Sequence, residues 1–496
     1  LDRRYAVVVT NPPYMGSGNM DEFLKKYTGK FYPAGKQDLY AACILRCLKL
    51  CRNSGRVAMI TMHGWLFLRS FADLRASTTP TSNLSINNQA EFRGLLRQTS
   101  LEAISHHGRY AFSEIGNAVV APVMFVFKAS QPKKTQQIWT CRLVAPKPSE
   151  EQAALLMSAI QAENSNKKNG DLLSVVHRVN QAELLNIPNS PILYWLPEDL
   201  LSTFSRLPLL QSVANTTDGV TGLARLTRFH WEIPVSDRRW YPYSKGGGYA
   251  RWRGIEIFSC DWQHDGSRQK AYIDTYYPYL KGNYGFRLKE PGIFPEIAFC
   301  FSSFSSAGIG CRLLEEGAIL GDKGPGIVPR TTSGHAVLGL MNTRIPNFIL
   351  RSLSGTLQVQ YPYVMKVPLP NLHREIFSSI TQEQAFCVSA KAVVLETREP
   401  TLRGFSVQLH HNEYRCSSLL LTVEAVLEKQ VAQAYEVSSR TIEKICQETG
   451  VPSGFYPLIA GYDGLPELSV DLNLSPLPQE VTDYLAAHEH INPAPA

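Results

Sequence analysis

The feature that most constrains this chain stands close to its start, where Val7-Val8-Val9-Thr10 runs directly into Asn11-Pro12-Pro13-Tyr14. A run of β-branched residues predicts a strand. Two successive prolines supply no ladder N–H and cannot continue as helix, so the chain must leave the sheet at Asn11. The expectation is a rigid polar-aromatic loop at the carboxyl end of a buried strand, the edge where open α/β sheets bind their ligands.

Such a loop suits a planar amine. The Asn11 side-chain carbonyl can accept a hydrogen bond from an exocyclic NH₂, and the Pro12 carbonyl can accept a second. The Tyr14 ring offers a face for a base, a contact whose loss costs about 1–3 kcal/mol at stacking sites. Two acceptors on one NH₂ draw its lone pair out of conjugation and make the nitrogen more nucleophilic, which is what methyl transfer to adenine N6 requires. Asn11, Pro12, Pro13 and Tyr14 are therefore the candidate catalytic residues. The string resembles the fourth motif of amino-group methyltransferases that use S-adenosylmethionine, found in adenine-N6 DNA enzymes and in some RNA and protein-glutamine enzymes. An ordinary strand-ending turn is the competing account of four residues taken alone.

The residues after Tyr14 support an α/β fold. Residues 15–36, rich in glycine, lysine and aromatics, are expected to form a segment able to close over a base. Asp38 to Cys51 reads as a helix, with Leu39, Cys43, Leu45, Cys47, Leu48 and Leu50 as its apolar set. Asn53-Ser54-Gly55 stops it, and Arg56 to Thr61 is the next buried strand. Strand, loop, helix, strand is a βαβ unit of a parallel sheet. Leu101 to Ser105 resumes the sheet, and Ala118 to Lys128 reads as its last strand. The catalytic part is expected over residues 1–145, and a helical connector, including a helix at Glu150 to Gln161, over 146–211.

From residue 212 to 370 glycines, aromatics and short β runs alternate, which predicts a mixed α+β module. Arg225, Arg228, Arg238, Arg239, Lys245, Arg251, Trp252 and Arg253 cluster there with Phe229, Trp231, Trp240, Tyr241, Tyr243 and Tyr249 among them. Basic groups grip phosphate, while aromatic faces and arginine forks meet bases, so this stretch is the candidate DNA interface. The Lys245-Gly246-Gly247-Gly248-Tyr249 run permits close approach of the backbone to a partner. A solvated basic face over core tryptophans is the alternative. His335 to Leu350 is a helix candidate. Residues 371–496 are expected to be largely helical, and the closing Ile491 to Ala496 stretch reads as a linker.

The chain has 496 residues, a net charge of +7 and 10 cysteines without a CxxC pair. No run is long enough to span a bilayer, and no secretory signal opens the chain. Cys43, Cys47 and Cys51 share one helix face, and His106-His107 and His410-His411 lack ligand-spaced partners. Buried thiols and ordinary histidines are the expectation, with no metal and a reducing, cytoplasmic setting.

The order of parts resembles the PglX-type adenine-specific DNA methyltransferases of BREX phage-exclusion systems. Asn11 to Tyr14 is followed by Gln37-Asp38-Leu39-Tyr40 opening a helix, then Gly55 to Thr61. Far downstream come the Trp231 and Trp240 to Trp252 region, Ser306-Ala307-Gly308-Ile309, Leu338 to Thr343, and Tyr361-Pro362-Tyr363. The resemblance implies a partial Rossmann-like methyltransferase sheet, a target-recognition domain and a helical C-terminal region. It implies S-adenosylmethionine as cofactor, double-stranded DNA as partner alongside other defence-system proteins, and an adenine flipped into the pocket at Asn11 to Tyr14. Asp38 and Tyr40 match the next motif and would wall that pocket. The family's glycine-rich cofactor motif lies upstream of its Asn-Pro-Pro-Tyr and is not found here. Asn11 is thus the one residue expected to border the cofactor, and the chain alone is expected not to methylate. A DNA-recognition subunit without chemistry is the alternative of a different class.

Overall fold

The computed structural model describes residues 3–77, 79, 91–108, 111, 120–144, 148–165, 175–217, 224–234, 236–252, 257–286, 288, 299–305, 308–314, 317–330, 334–354, 358–370, 427–428 and 430–449. They divide into two compact units, Leu1–Arg206 and Leu207–Ala496. The expected C-terminal linker, His410-His411, and most of the expected C-terminal helices lie outside the described residues. Residues 427–428 and 430–435 are helical, inside the region expected to be largely helical.

In the first unit β1 (Tyr5–Thr10) is followed by α1 (Glu22–Phe31), α2 (Leu39–Leu50) and β2 (Cys51–Met62). β1 and β2 pair in parallel, with Thr10 opposite Met59, so this is the expected βαβ unit. Two one-turn helices, α3 (Ala72–Arg75) and α4 (Leu95–Gln98), lead to β3 (Ser100–His107) and β4 (Pro122–Lys128), and β4 runs antiparallel between β2 and β3. The sheet then continues past the expected end. β5 (Gln137–Leu143) pairs in parallel with β3, and β6 (Val176–Asn180) pairs antiparallel with β5. The result is a six-stranded mixed sheet of order β1-β2-β4-β3-β5-β6, in which β4 is a central strand rather than the last one. Residues read from sequence as a connector belong to this unit, because β6 completes its sheet and α5 (Ser149–Asn164) packs Ala159 against Cys141 and Leu143. The short helix α6 (Gln181–Leu184) and α7 (Glu198–Arg206) close the unit.

One face of the sheet is closed. Val57, Met59 and Thr61 of β2 are buried there, with Tyr40, Ile44, Leu45 and Leu48 of α2 in the same core. β1 departs from expectation. Val7 is 60% exposed and Val9 is 72% exposed, so β1 is an edge strand and not a buried one. A valine run is the pattern of a strand covered on both faces. Among the described residues β1 has one neighbouring strand, β2, and nothing covers its valine face.

The second unit begins with β7 (Ala214–Thr217), β8 (Thr227–Phe229), β9 (Trp240–Ser244), β10 (Phe258–Asp261) and α8 (Gln263–Tyr276). Four short strands follow, β11 (Phe299–Phe301), β12 (Cys311–Leu313), β13 (Ile319–Leu320) and β14 (Gly326–Pro329), then α9 (Gly334–Met341) and α10 (Arg344–Ser354). The strands form two four-stranded sheets, of order β13-β9-β10-β8 and β12-β11-β14-β7. The first encloses a core of Tyr243, Cys260, Trp262, Ile273 and Leu288. The single helix expected at 335–350 is broken at Asn342-Thr343. Its break has a purpose: the Asn342 amide accepts from Cys311 N at 2.8 Å and donates to Cys311 O at 2.9 Å, imitating a strand partner for β12.

Candidate active site and nucleic-acid interface

The chain leaves β1 at Asn11, as the prolines require, and Asn11 is exposed while Pro12 is buried. The Tyr14 hydroxyl lies 3.1 Å from Asn11 Oδ1, to which it donates, and 3.4 Å from the Ile60 carbonyl. One hydroxyl proton serves one of these acceptors at a time. The Asn11 carbonyl has a second lone pair, so the Tyr14 bond orients the amide and leaves it able to accept another donor. Burial raises the Tyr14 pKa above its ordinary 10.0, which keeps that hydroxyl a neutral donor at physiological pH.

Asp38 holds the far side of the loop. As N-cap of α2 its Oδ1 accepts from Tyr40 N at 3.3 Å and from Met15 N at 3.1 Å. Ser17 N bonds Gln37 O at 2.9 Å and Leu39 N bonds Met15 O at 2.9 Å, which ties the loop to the helix start. Asp38 is thus a clamp on the loop. Burial raises its pKa and these N–H donors oppose the rise. Tyr40, expected on the pocket wall, is 2% exposed. It stands behind Tyr14, edge-on at 6.2 Å and 89°, and meets Phe71 at 5.8 Å. In this position it backs the Tyr14 ring. Residues 15–36, expected as a closing segment, contain the regular helix α1, capped by Asp21 on Leu24 N at 2.7 Å.

A groove of about 500 Å³ begins at Asn11 and Thr10 and runs along the open sheet face, past Ile60, Met124 and Trp139 to Leu156 and Ile160 of α5. Apart from the Thr10–Asn11 end and Ser105 its lining is apolar, and it is large enough for a nucleobase.

Sequence reading missed a buried polar chain beside β2. His63 Nδ1 lies 2.9 Å from His106 Nε2, and His106 Nδ1 lies 2.8 Å from the Tyr194 hydroxyl. His106 and His107 are 4% and 8% exposed, so they are core histidines. Burial, then His63, Arg142 and His107, push the His106 pKa well below 6.5, and burial lowers that of His107. The unfolded chain protonates His106 near its ordinary value, whereas the folded chain does not. Below that pH the unfolded state binds more protons, so stability falls as pH falls, by about 1.4 kcal/mol per unit for one fully depressed site. Urea unfolding at neutral pH and one to two units lower should show this loss. His106→Gln should flatten the slope; an unchanged slope would remove His106 as its source.

In the second unit the candidate interface residues part company. Arg225, Arg228, Arg238 and Lys245 are exposed, and Arg251 is half-buried. Arg239 is held by Asp237 through two contacts of 2.9 and 2.7 Å, and Asp237 also accepts from the Trp240 indole at 3.1 Å. Trp252 is a correction: it is 1% exposed, with φ +73°, and its backbone is bonded to Cys311 and Leu313. A core residue cannot stack on an outside ligand. Arg253, Ser306 and Ala307 lie outside the described residues. The glycine run also reads differently. At Gly246 (φ +76°) an added Cβ would meet the Lys323 carbonyl at 2.1 Å, so the close approach is to the chain's own 321–324 turn. Gly321 N bonds Ser244 O at 2.8 Å in the same contact. Gly247 (φ +98°) faces open space.

Among the described residues no group of three or more His, Cys, Asp or Glu could hold a metal, and no helix is long and apolar enough to cross a membrane. Cys47 and Cys51 are buried and unpaired, and burial pushes the Cys47 thiol up to about 11.

Residues 1–95 match the model of the Eco57I restriction-modification methylase family. Over 411 residues the chain is 30% identical to the adenine-specific methyltransferase PglX of Lacticaseibacillus casei (strain Zhang), spanning 77% of this chain and 31% of that protein. It is 24% identical over 391 residues to the adenine-specific methyltransferase BrxX of Escherichia coli O9:H4 (strain HS), spanning 76% of this chain and 28% of that protein. The chain thus spans about a third of the length of these curated relatives. Among solved structures, the type IIL restriction-modification enzyme MmeI in complex with DNA is similar over 90% of this chain and 56% of that one, at 13% identity and a TM-score of 0.49.

Proposed function

We propose that this chain, a relative of the PglX-type adenine-specific methyltransferases, holds the target adenine during S-adenosylmethionine-dependent N6 methylation of double-stranded DNA. The observation that carries the reading is the exposed Asn11 amide, oriented by Tyr14 at the mouth of a base-sized groove. In this reading Asn11 Oδ1 and the Pro12 carbonyl accept from the extruded amino group, and Tyr14 stacks on the ring. Asp38 and Tyr40 keep Tyr14 in place. S-Adenosylmethionine supplies the methyl group. Asn11 would border it, and the glycine-rich motif that would hold the rest of it is not found in these residues. The exposed cations of the second unit, led by Arg225, Arg228, Arg238 and Lys245, hold the phosphate backbone, with Arg251 at their edge. The biological role is marking of host DNA in a phage-exclusion system, together with other defence proteins.

Titration calorimetry of this chain with S-adenosylmethionine tests the division of the site. The expected result is no saturable binding at micromolar concentration. Micromolar binding would mean that the chain carries a complete cofactor site and that the proposed division is wrong.

A non-catalytic recognition subunit is the second reading, favoured by the apolar character of the groove beyond Asn11. In that case the full-length protein would place no methyl group on DNA, with Asn11 or without it.

A further inference from the structure

We propose that Trp231 is a stacking residue for an unpaired or unstacked DNA base. The inference rests on the second unit's reading as a DNA-recognition module and assigns one residue of that module a specific task. The tryptophans of this region look alike in sequence, but the fold separates them. Trp252 and Trp262 are 1% and 7% exposed, and the Trp240 indole is held by Asp237. Trp231 is 62% exposed.

It is also held rigidly. Trp231 lies parallel to Phe229, with centroids 4.6 Å apart and an interplanar angle of 7°. Phe229 in turn stacks on Phe258 at 5.0 Å and 25°, across the register pair that joins β8 to β10. The three rings form a column that starts on the sheet and ends on an indole with its outward face uncovered. The turn that carries Trp231 is closed by Glu232, whose carboxylate accepts from Phe229 N at 3.0 Å, so this nearest acid is already engaged. His230 supports the indole edge-on at 5.0 Å.

A scattered exposed apolar residue is normal and needs no account. A preorganised column is different, because its outer ring can extend the stack onto a further π-face at little cost in side-chain ordering. Charges at the other end of the column and on the same strand select the kind of face. Lys245 Nζ lies 4.5 Å from the Phe258 centroid, and Arg228 is exposed at the edge strand with its guanidinium 5.8 Å from the Trp240 ring. Cations beside a stacking platform match a nucleobase with its phosphates. A fully paired duplex hides its base faces, so the partner is a base freed from its stack.

The test is fluorescence anisotropy of the full chain with three labelled probes: a single strand of about 30 nucleotides, long enough to span several stacking sites, the intact duplex, and the duplex with one unpaired adenine. Trp231→Ala should weaken binding to the single strand and to the bulged duplex about 10-fold, with the slope against salt unchanged, since no ion pair is removed. Binding to the intact duplex should change less than about twofold. Trp231→Phe should restore most of the loss. A parallel Lys245→Ala variant should instead lower the salt slope by about one unit on all three probes. If the wild-type chain binds none of the probes, the DNA-recognition reading falls and this inference with it. If the wild type binds in a salt-dependent way and Trp231→Ala matches it on every probe, the inference alone is overturned. It is overturned equally if Trp231→Ala weakens all three probes to the same extent.

Discussion

In the full-length protein, Asn11→Ala will abolish adenine methylation while leaving affinity for DNA within about twofold. The expected fall in rate is about 100- to 1,000-fold, the range seen when one preorganised polar group is removed from a reacting centre. The reason is geometric. Asn11 presents its amide at the mouth of the groove, where the Tyr14 hydroxyl holds it at 3.1 Å. Alanine removes the acceptor that orients the NH₂ lone pair, and it also frees Tyr14 to bond the Ile60 carbonyl alone. Both effects act on the reacting nitrogen, and neither touches a phosphate contact. Asn11→Asp keeps an acceptor oxygen at the same reach and should lose less. The measurement is N6-methyladenine in the DNA of a methylation-deficient host that expresses the full-length protein, together with DNA affinity in vitro. Methylation surviving at wild-type level in the alanine variant would take Asn11 out of the chemistry.

Arg75→Ala will destabilise the first unit by about 3–5 kcal/mol, the cost of leaving several buried carbonyls without their charged donor. Arg75 is 0% exposed. Its guanidinium donates to Trp65 O at 2.7 Å, to Leu68 O at 2.9 Å, to Ser190 O at 2.9 Å and to Asn189 O at 2.9 Å. Four carbonyls from two distant segments converge on one planar fork, a geometry that lysine cannot reproduce. Alanine would leave these carbonyls buried without their donor. Arg75→Lys should recover only part of the loss. The consequence reaches the candidate site, because the Trp65 segment is one that the Tyr40 hydroxyl also contacts, and Tyr40 supports Tyr14. Urea unfolding of the variants measures the effect. A loss below about 1 kcal/mol would mean that water replaces the guanidinium at these carbonyls.

Much of the first unit is legible in the residues themselves, and for a local reason. The valine run, the double proline, the Asp38 cap, the apolar period of α2 and the β-branched run of β2 each act through neighbours within one turn or one strand. β5 and β6 escape such a reading as parts of the sheet. They are short and carry polar residues such as Arg142 and Arg178. Their membership depends on pairing between partners far apart in the chain, such as Ala103 with Trp139 and Gln137 with Asn180. Gln181, which starts α6 beside them, shows the same thing. Its buried amide accepts from Leu101 N at 2.8 Å and donates to the Leu96 and Thr99 carbonyls, a plug that no local pattern announces.

By itself the amino-acid order determined where the chain must turn, which side chains the turn displays, and that a helix and a parallel strand come next. Those outcomes rest on dihedral limits and short periodicities, which a few consecutive residues contain. Only the tertiary structure decided that β1 is an edge, that Tyr40 stands behind Tyr14, that Arg75 is swallowed by carbonyls, and that Trp231 is displayed while Trp252 is buried. Exposure belongs to the packed whole: an indole is covered or free according to what distant segments bring against it, and its own neighbours in the chain hold no record of that.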